Sequence, residues 1–309
     1  MKPKVAITIG DPAGIGPEIV FRAVHSLKVQ RVCSPVVFGD KKVIGNYFNI
    51  NNSKCEFYFT SDFSKKVKLS SPSKQAGLIA YNAIRQAVKS CIFGNTKCLV
   101  TAPVSKESFK LAKTKYFAHT EILADLTNTK KFCMMMICGN INSVMVTRHL
   151  PISEISKKLT VKDIIDTTEI SACLVKKMLN KNPKIIFSSL NPHCGDNGLL
   201  GNQEKQIIIP AIKKLKTKKY NIADFFPCDV AWAKMLSNNY DLIVCMYHDQ
   251  VMVPLKIINK NKIVNLTAGL PFIRTSPGHG TAFDIAGKNK ANETSIIEAI
   301  LTAVKFSKN

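Results

Sequence analysis

Acidic residues are scarce in this 309-residue chain: 21 Asp and Glu stand against 44 Lys and Arg, for a formal charge of +23. Such an imbalance could mark a nucleic-acid partner, because clustered cations neutralise phosphates. The excess, however, is nearly all lysine, spread through helical and loop segments such as Lys157-Lys158, Lys213-Lys214 and Lys218-Lys219. Neither an arginine-rich helix nor an aromatic-interleaved basic strand accompanies it. A solvated face that draws small anions is the better reading, and no nucleic-acid partner is expected. Long apolar runs are also missing: none approaches the roughly 20 residues that span a bilayer. The N-terminus enters a strand without a signal pattern, so a cytoplasmic chain with no membrane partner is expected. The ten cysteines form no CxxC pair, and most lie in apolar runs (Cys98, Cys133, Cys138, Cys173, Cys245). That excludes a disulfide framework and a thiolate zinc site, and fits reduced, buried cysteine. A GxGxxG fingerprint is absent from the first strand-to-helix turn, which makes a dinucleotide-binding turn there a weak reading.

What the chain does have is a repeated device, a short apolar run that breaks at once into polar residues. Val5 to Ile9 gives way to Gly10-Asp11-Pro12-Ala13-Gly14-Ile15-Gly16-Pro17-Glu18, and Cys98 to Thr101 gives way to Ala102-Pro103-Val104-Ser105-Lys106. Strands alternating with helical segments such as 75–92 predict α/β architecture with parallel βαβ units. Residues 131–138 and 143–147, joined by Gly139-Asn140-Ile141-Asn142, predict a hairpin and thus one antiparallel feature. Residues 151–179 read as a helical region. At 309 residues and 46% apolar content, one large or two medium folded domains are expected.

The densest cluster of chemistry lies between Cys245 and Gly287, where His248-Asp249-Gln250 follows a buried strand and Lys256, Asn265 and Arg274 come next. His149, His193 and His248 share one context, each following a predicted apolar strand. Groups delivered there converge on the carboxyl ends of a sheet, where α/β proteins bind ligands. Three imidazoles would leave a divalent cation with open positions. Zinc fits such a set, and magnesium, manganese or cobalt would fit if Asp249 or Asp229 joined it. Ahead of a helix, His119 and Thr120 offer either an anion site or, on local evidence the preferred reading, a plain N-cap.

The strings GDPAGIGPE, TAPVSK, AHTE, HLP, NPHCGDNG, YHDQ and NLTAGLPFIRTSPGHGTAFDIAGK occur in this order along nearly the whole chain. Together they resemble the 4-hydroxythreonine-4-phosphate dehydrogenase family of pyridoxal phosphate (vitamin B6) synthesis. The last is also similar to the HGSAPDIAGK segment of isopropylmalate and isocitrate dehydrogenases. The resemblance implies two α/β/α domains around a cleft, drawn here as 1–128 plus 268–309 and 129–267. It implies His149, His193 and His248 as ligands of a divalent metal (Zn, Mg or Co). It also implies His119, Thr120, Lys256, Asn265 and Arg274 as substrate contacts, and an NAD or NADP contact loop with Gly278, His279, Gly280, Thr281 and Asp284. Lys256 or Asp249 would move the hydroxyl proton, Lys256 being preferred. The family is a homodimer with a shared active site. The activity implied is oxidation of 4-phosphooxy-L-threonine to 2-amino-3-oxo-4-phosphooxybutanoate, which decarboxylates to 3-amino-2-oxopropyl phosphate. A dehydrogenase of threonate or erythronate 4-phosphate is the alternative, and a basic nucleic-acid-binding protein a remote one.

Overall fold

The computed structural model of the chain describes residues 2–50, 54–63, 67–116, 118–237 and 239–307. Its strands are β1 (Lys4–Thr8), β2 (Ser34–Asp40), β3 (Glu56–Ser61), β4 (Cys98–Thr101), β5 (Cys133–Cys138), β6 (Ile141–Met145), β7 (Ile185–Ser188), β8 (Ile222–Phe226), β9 (Leu242–Cys245), β10 (Ile263–Ala268) and β11 (Ile273–Pro277). Contacts divide the chain into two units, Met1–Lys130 with Leu270–Lys308, and Lys131–Gly269. Among the described residues no helix is long and apolar enough to cross a membrane.

In the first unit the strands run β3-β2-β1-β4-β11, and every pairing is parallel. Parallel strands buried on both faces need continuous apolar sequence, and Val5, Ala6, Ile7, Leu99 and Val100 are fully buried. The helix Lys74–Ile92 is started by Ser73, whose side chain accepts from Ala76 N. It lays Ala80, Ala83, Ile84 and Ala87 into the core with Phe38 and Phe109. The helix Thr294–Phe306 packs on β4 and β11, so the carboxyl ends of β1, β4 and β11 are left to loops.

In the second unit the order is β10-β5-β6-β9-β7-β8. β5 pairs antiparallel with both β10 and β6, whereas β6, β9, β7 and β8 run parallel. The hairpin expected at 131–147 is therefore present, tightened to a turn at Gly139 and Asn140, with Cys138 opposite Ile141. Of its three methionines, Met135 and Met136 are core and Met134 keeps some surface. The helical region expected over 151–179 is present as two helices, Ile152–Lys158 and Val161–Leu179. Thr160 separates them: its hydroxyl accepts from Asp163 N and restarts the helix, a capping signal legible as Thr-x-x-Asp. β8 was not expected, because its residues are only partly buried and its apolar run is broken by Asp224. All ten cysteines are free, and Cys173, expected inside an apolar run, lies exposed on the helix Val161–Leu179.

Candidate active site

In the second unit the register of β6 with β9 sets the geometry. Met145 pairs with Cys245, and the ladder runs on past the strand ends through Val146 N to Cys245 O (2.9 Å) and Thr147 N to Met246 O (3.0 Å). The chain beyond each strand therefore leaves from the same edge, and the rings of His149 and His248 come to 5.9 Å between centroids. They line one small pocket of about 170 Å³ with Arg148, Tyr247 and Asp249. His248 Nδ1 and Asp249 Oδ1 lie 2.7 Å apart. With Nδ1 as donor in that bond, Nε2 is the nitrogen left for a metal.

Two imidazoles with one ring fixed by a carboxylate fit a divalent metal in donor chemistry. Yet among the described residues no group of three or more His, Cys, Asp or Glu could hold an ion. His193 does not join the other two in such a group. It follows β7 in the turn Pro192–Gly198, where His193, Cys194, Gly195, Asp196 and Asn197 all have positive φ. A left-handed turn of this kind is strained for all but Gly, Asn and Asp. Sequence reasoning placed a loop here without foreseeing its hand, although Asn, Asp and Gly are the residues that tolerate it. Glu204, 2% exposed, holds the entrance: Oε1 accepts from Leu190 N (3.0 Å) and Asn191 N (2.8 Å), and Oε2 from Asn191 Nδ2 (3.0 Å). In the same unit Lys256 is exposed on the helix His248–Asn259. On β10, Asn265 donates weakly to Met134 Sδ and keeps Oδ1 buried with no hydrogen-bond partner among the described residues.

In the first unit Arg274 is 2% exposed on β11, and its Nη2 donates to Thr101 Oγ1 (2.6 Å). Burial pushes its guanidinium down to about 9, which still leaves a cation at neutral pH. His119 is beside it. Burial first, and the Arg274 charge second, hold that imidazole well below its ordinary pKa, so the ring is neutral. Its Nε2 is buried with no hydrogen-bond partner among the described residues. A buried cation beside an unsatisfied neutral imidazole suits a ligand that brings negative charge and oxygen atoms. Thr120 sits in the first turn of the helix His119–Leu126, but the N-cap is Ala118 and makes no side-chain bond. The plain N-cap reading of Thr120 is thereby corrected, since the chain enters the helix one residue earlier than a Thr cap requires.

Three loops meet at the carboxyl ends of β1, β4 and β11. Asp11 N donates to Pro103 O (2.9 Å) and Ile15 N to Thr281 O (3.0 Å). A Cβ on Gly14 would stand 2.7 Å from Thr281 O, and one on Gly10 2.4 Å from Pro103 O. These glycines thus make room for the chain itself. Asp11 is fully buried, accepts from Ala13 N (2.9 Å) and has its carboxyl raised by burial. In the loop after β11, Gly278, His279, Gly280 and Asp284 are exposed and Thr281 is half-buried. A Cβ at Gly280 would meet nothing within 4 Å, so a ligand can come close to that backbone. The same unit has a cavity of about 900 Å³, whose lining includes Pro12, Glu18, Arg22, Gly287 and Asn289.

The two α/β units, one sheet parallel and one mixed, with polar groups delivered at strand ends, have the isocitrate/isopropylmalate dehydrogenase-like fold. Within that fold class the particular family follows from comparison with known proteins. The chain belongs to the pyridoxal phosphate biosynthetic protein PdxA family, whose profile matches residues 31–303. It is 34% identical to the 4-hydroxythreonine-4-phosphate dehydrogenase of Desulforapulum autotrophicum over 98% of this chain and 95% of that one. It is 33% identical to an Oceanobacillus iheyensis protein provisionally named D-threonate 4-phosphate dehydrogenase, over 99% and 98%. Among solved structures, 4-hydroxythreonine-4-phosphate dehydrogenase from Klebsiella pneumoniae superposes with a TM-score of 0.91 at 30% identity, covering 99% of this chain and 100% of that one.

Proposed function

We propose that the chain oxidises 4-phosphooxy-L-threonine at its C3 hydroxyl, using NAD or NADP, in pyridoxal phosphate synthesis. The single observation that carries this reading to residue level is the buried Arg274 beside neutral His119, whose Nε2 is buried without a partner among the described residues, a receptor suited to an oxygen-rich anion. Arg274 and Lys256 supply positive charge, and Thr120 and Asn265 supply hydrogen bonds to substrate oxygens. His149, His193 and His248 hold a divalent metal (Zn, Mg or Co), with His193 completing the set when two copies come together as a homodimer. That arrangement accounts for a ligand set left incomplete in one chain. When bound, the metal supplies Lewis acidity and the nucleotide accepts hydride. The loop Gly278, His279, Gly280, Thr281 and Asp284 takes the nucleotide, supported by the open backbone at Gly280. Asp249 is engaged with His248, which favours Lys256 for moving the C3 hydroxyl proton. Loss of hydride and proton gives 2-amino-3-oxo-4-phosphooxybutanoate. A ketone β to a carboxylate then loses CO2 to give 3-amino-2-oxopropyl phosphate. The working compartment is the cytoplasm.

The Oceanobacillus iheyensis relative, at almost the same identity, favours threonate 4-phosphate as a second reading. The two substrates differ at C2, amino against hydroxyl. Purified protein reconstituted with metal should form NADH with 4-phosphooxy-L-threonine, and a chelator should abolish it. Turnover of threonate 4-phosphate alone would replace the substrate and keep the chemistry. His149→Ala, His193→Ala and His248→Ala should each lose bound metal and turnover together; a metal-free variant that still turns over would end the metal assignment.

A further inference from the structure

We propose that Gln250 is a positioning residue that locks the two histidine-bearing strand ends of the second unit to one another. The inference rests on the metal reading of His193 and His248. Gln250 lies in the first turn of the helix His248–Asn259 and is 6% exposed. Helical side chains lean toward the N-terminus, so its amide is turned back onto the sheet edge. There Oε1 accepts from Ser188 Oγ (2.9 Å) and from Met246 N (2.8 Å), and Nε2 donates to Ser189 O (2.7 Å). One amide thus ties the end of β7 to the end of β9. The β7 end leads directly into the His193 turn, with Ser189 Oγ bonded to Asn191 O (2.7 Å). The β9 end leads directly into His248. Gln250's own carbonyl is held by Trp232 Nε1 (2.6 Å), so the clamp has a fixed base.

Only a primary amide offers an acceptor to one neighbour and a donor to the other at the same side-chain length, and neither can be made by water at this depth. Shifting either strand end would carry its imidazole out of place. Groups that orient metal ligands from behind typically govern affinity by about 10- to 100-fold.

The test is titration of metal-free full-length protein with Co2+ by calorimetry, beside thermal unfolding. Gln250→Leu should weaken Co2+ binding roughly 10- to 100-fold. Gln250→Glu keeps both accepted bonds but sets an oxygen against the Ser189 carbonyl, and should give a smaller loss. Met235→Ala, a cut in the same core away from the clamp, should lower the melting temperature and leave Co2+ affinity within about 2-fold. Wild-type affinity in a folded Gln250 variant would overturn the clamp, as would an equal loss in Met235→Ala. If Gln250→Leu does not fold, Gln250→Glu decides by the same measure. Failure of wild-type protein to bind Co2+ would instead overturn the metal reading beneath it.

Discussion

His119 shows how a single residue is set by its surroundings. Its folded pKa lies well below the unfolded value, through burial and then the Arg274 charge. The unfolded chain therefore binds a proton that the folded chain refuses once the pH falls below the unfolded histidine pKa of about 6.5. Stability is lost as pH falls through that value, and the loss continues down to the depressed folded pKa, by at most about 1.4 kcal/mol per pH unit for one proton. His119→Asn, uncharged in both states, should flatten this part of the stability profile, measured by urea unfolding at a series of pH values; an unchanged slope would refute the assignment. Arg274 allows an activity test at the same scale. Lysine keeps the charge but not the planar fork, and a charged hydrogen bond contributes about 1.5–3 kcal/mol. Arg274→Lys should therefore reduce kcat/KM for the phosphorylated substrate by roughly 10- to 100-fold, chiefly through KM, in steady-state assays.

The turn after β7 is the element whose form the sequence conceals. His193 and Cys194, with positive φ, cost about 1 kcal/mol or more each, and such a conformation persists only when its ends are held. Glu204 does the holding through two backbone N–H groups and one side-chain amide. Glu204→Ala would leave Leu190 N and Asn191 N without acceptors, for a loss of roughly 2–4 kcal/mol in denaturant unfolding, with amide exchange rising first at 190–198. Exchange that rises uniformly across the chain would argue against a local lock. The strands that carry the site were legible because parallel strands buried on both faces must be largely apolar, as Leu242–Cys245 and residues 98–100 are. His149 and His248 could be paired in advance only as strand-end residues, since their meeting depends on the β6–β9 register. β8 was hidden by partial burial, and Gln250 by being a neutral amide with two of its partners, Ser188 and Ser189, at the end of a distant strand. The glycines of 10–16 were visible as a turn, but the close approach of Thr281 to Gly14 depends on tertiary packing.

For the molecule as a whole, the charge of +23 is too large to be absorbed by ion pairs. Lys4 with Glu56, Lys162 with Asp166 and Lys218 with Glu169 are lysine pairs whose attraction water screens, and Arg22 with the buried Glu18 is an exception. The lysines therefore act through their summed field more than through fold stability. A field of that sign raises the encounter rate of anions, and both the phosphorylated substrate and the nucleotide proposed here are anionic. Salt shortens the reach of that field, from a Debye length of about 10 Å at 0.1 M to about 3 Å at 1 M. Raising NaCl over this range should lower kcat/KM for the phosphorylated substrate several-fold, while kcat, set after binding, stays nearly constant. A neutral salt series at fixed pH and metal, with stopped-flow binding of nucleotide alongside, separates the two parameters. Equal loss in kcat and kcat/KM would mean that salt acts on the metal or the fold, and the lysine-rich surface would then have no part in gathering substrate.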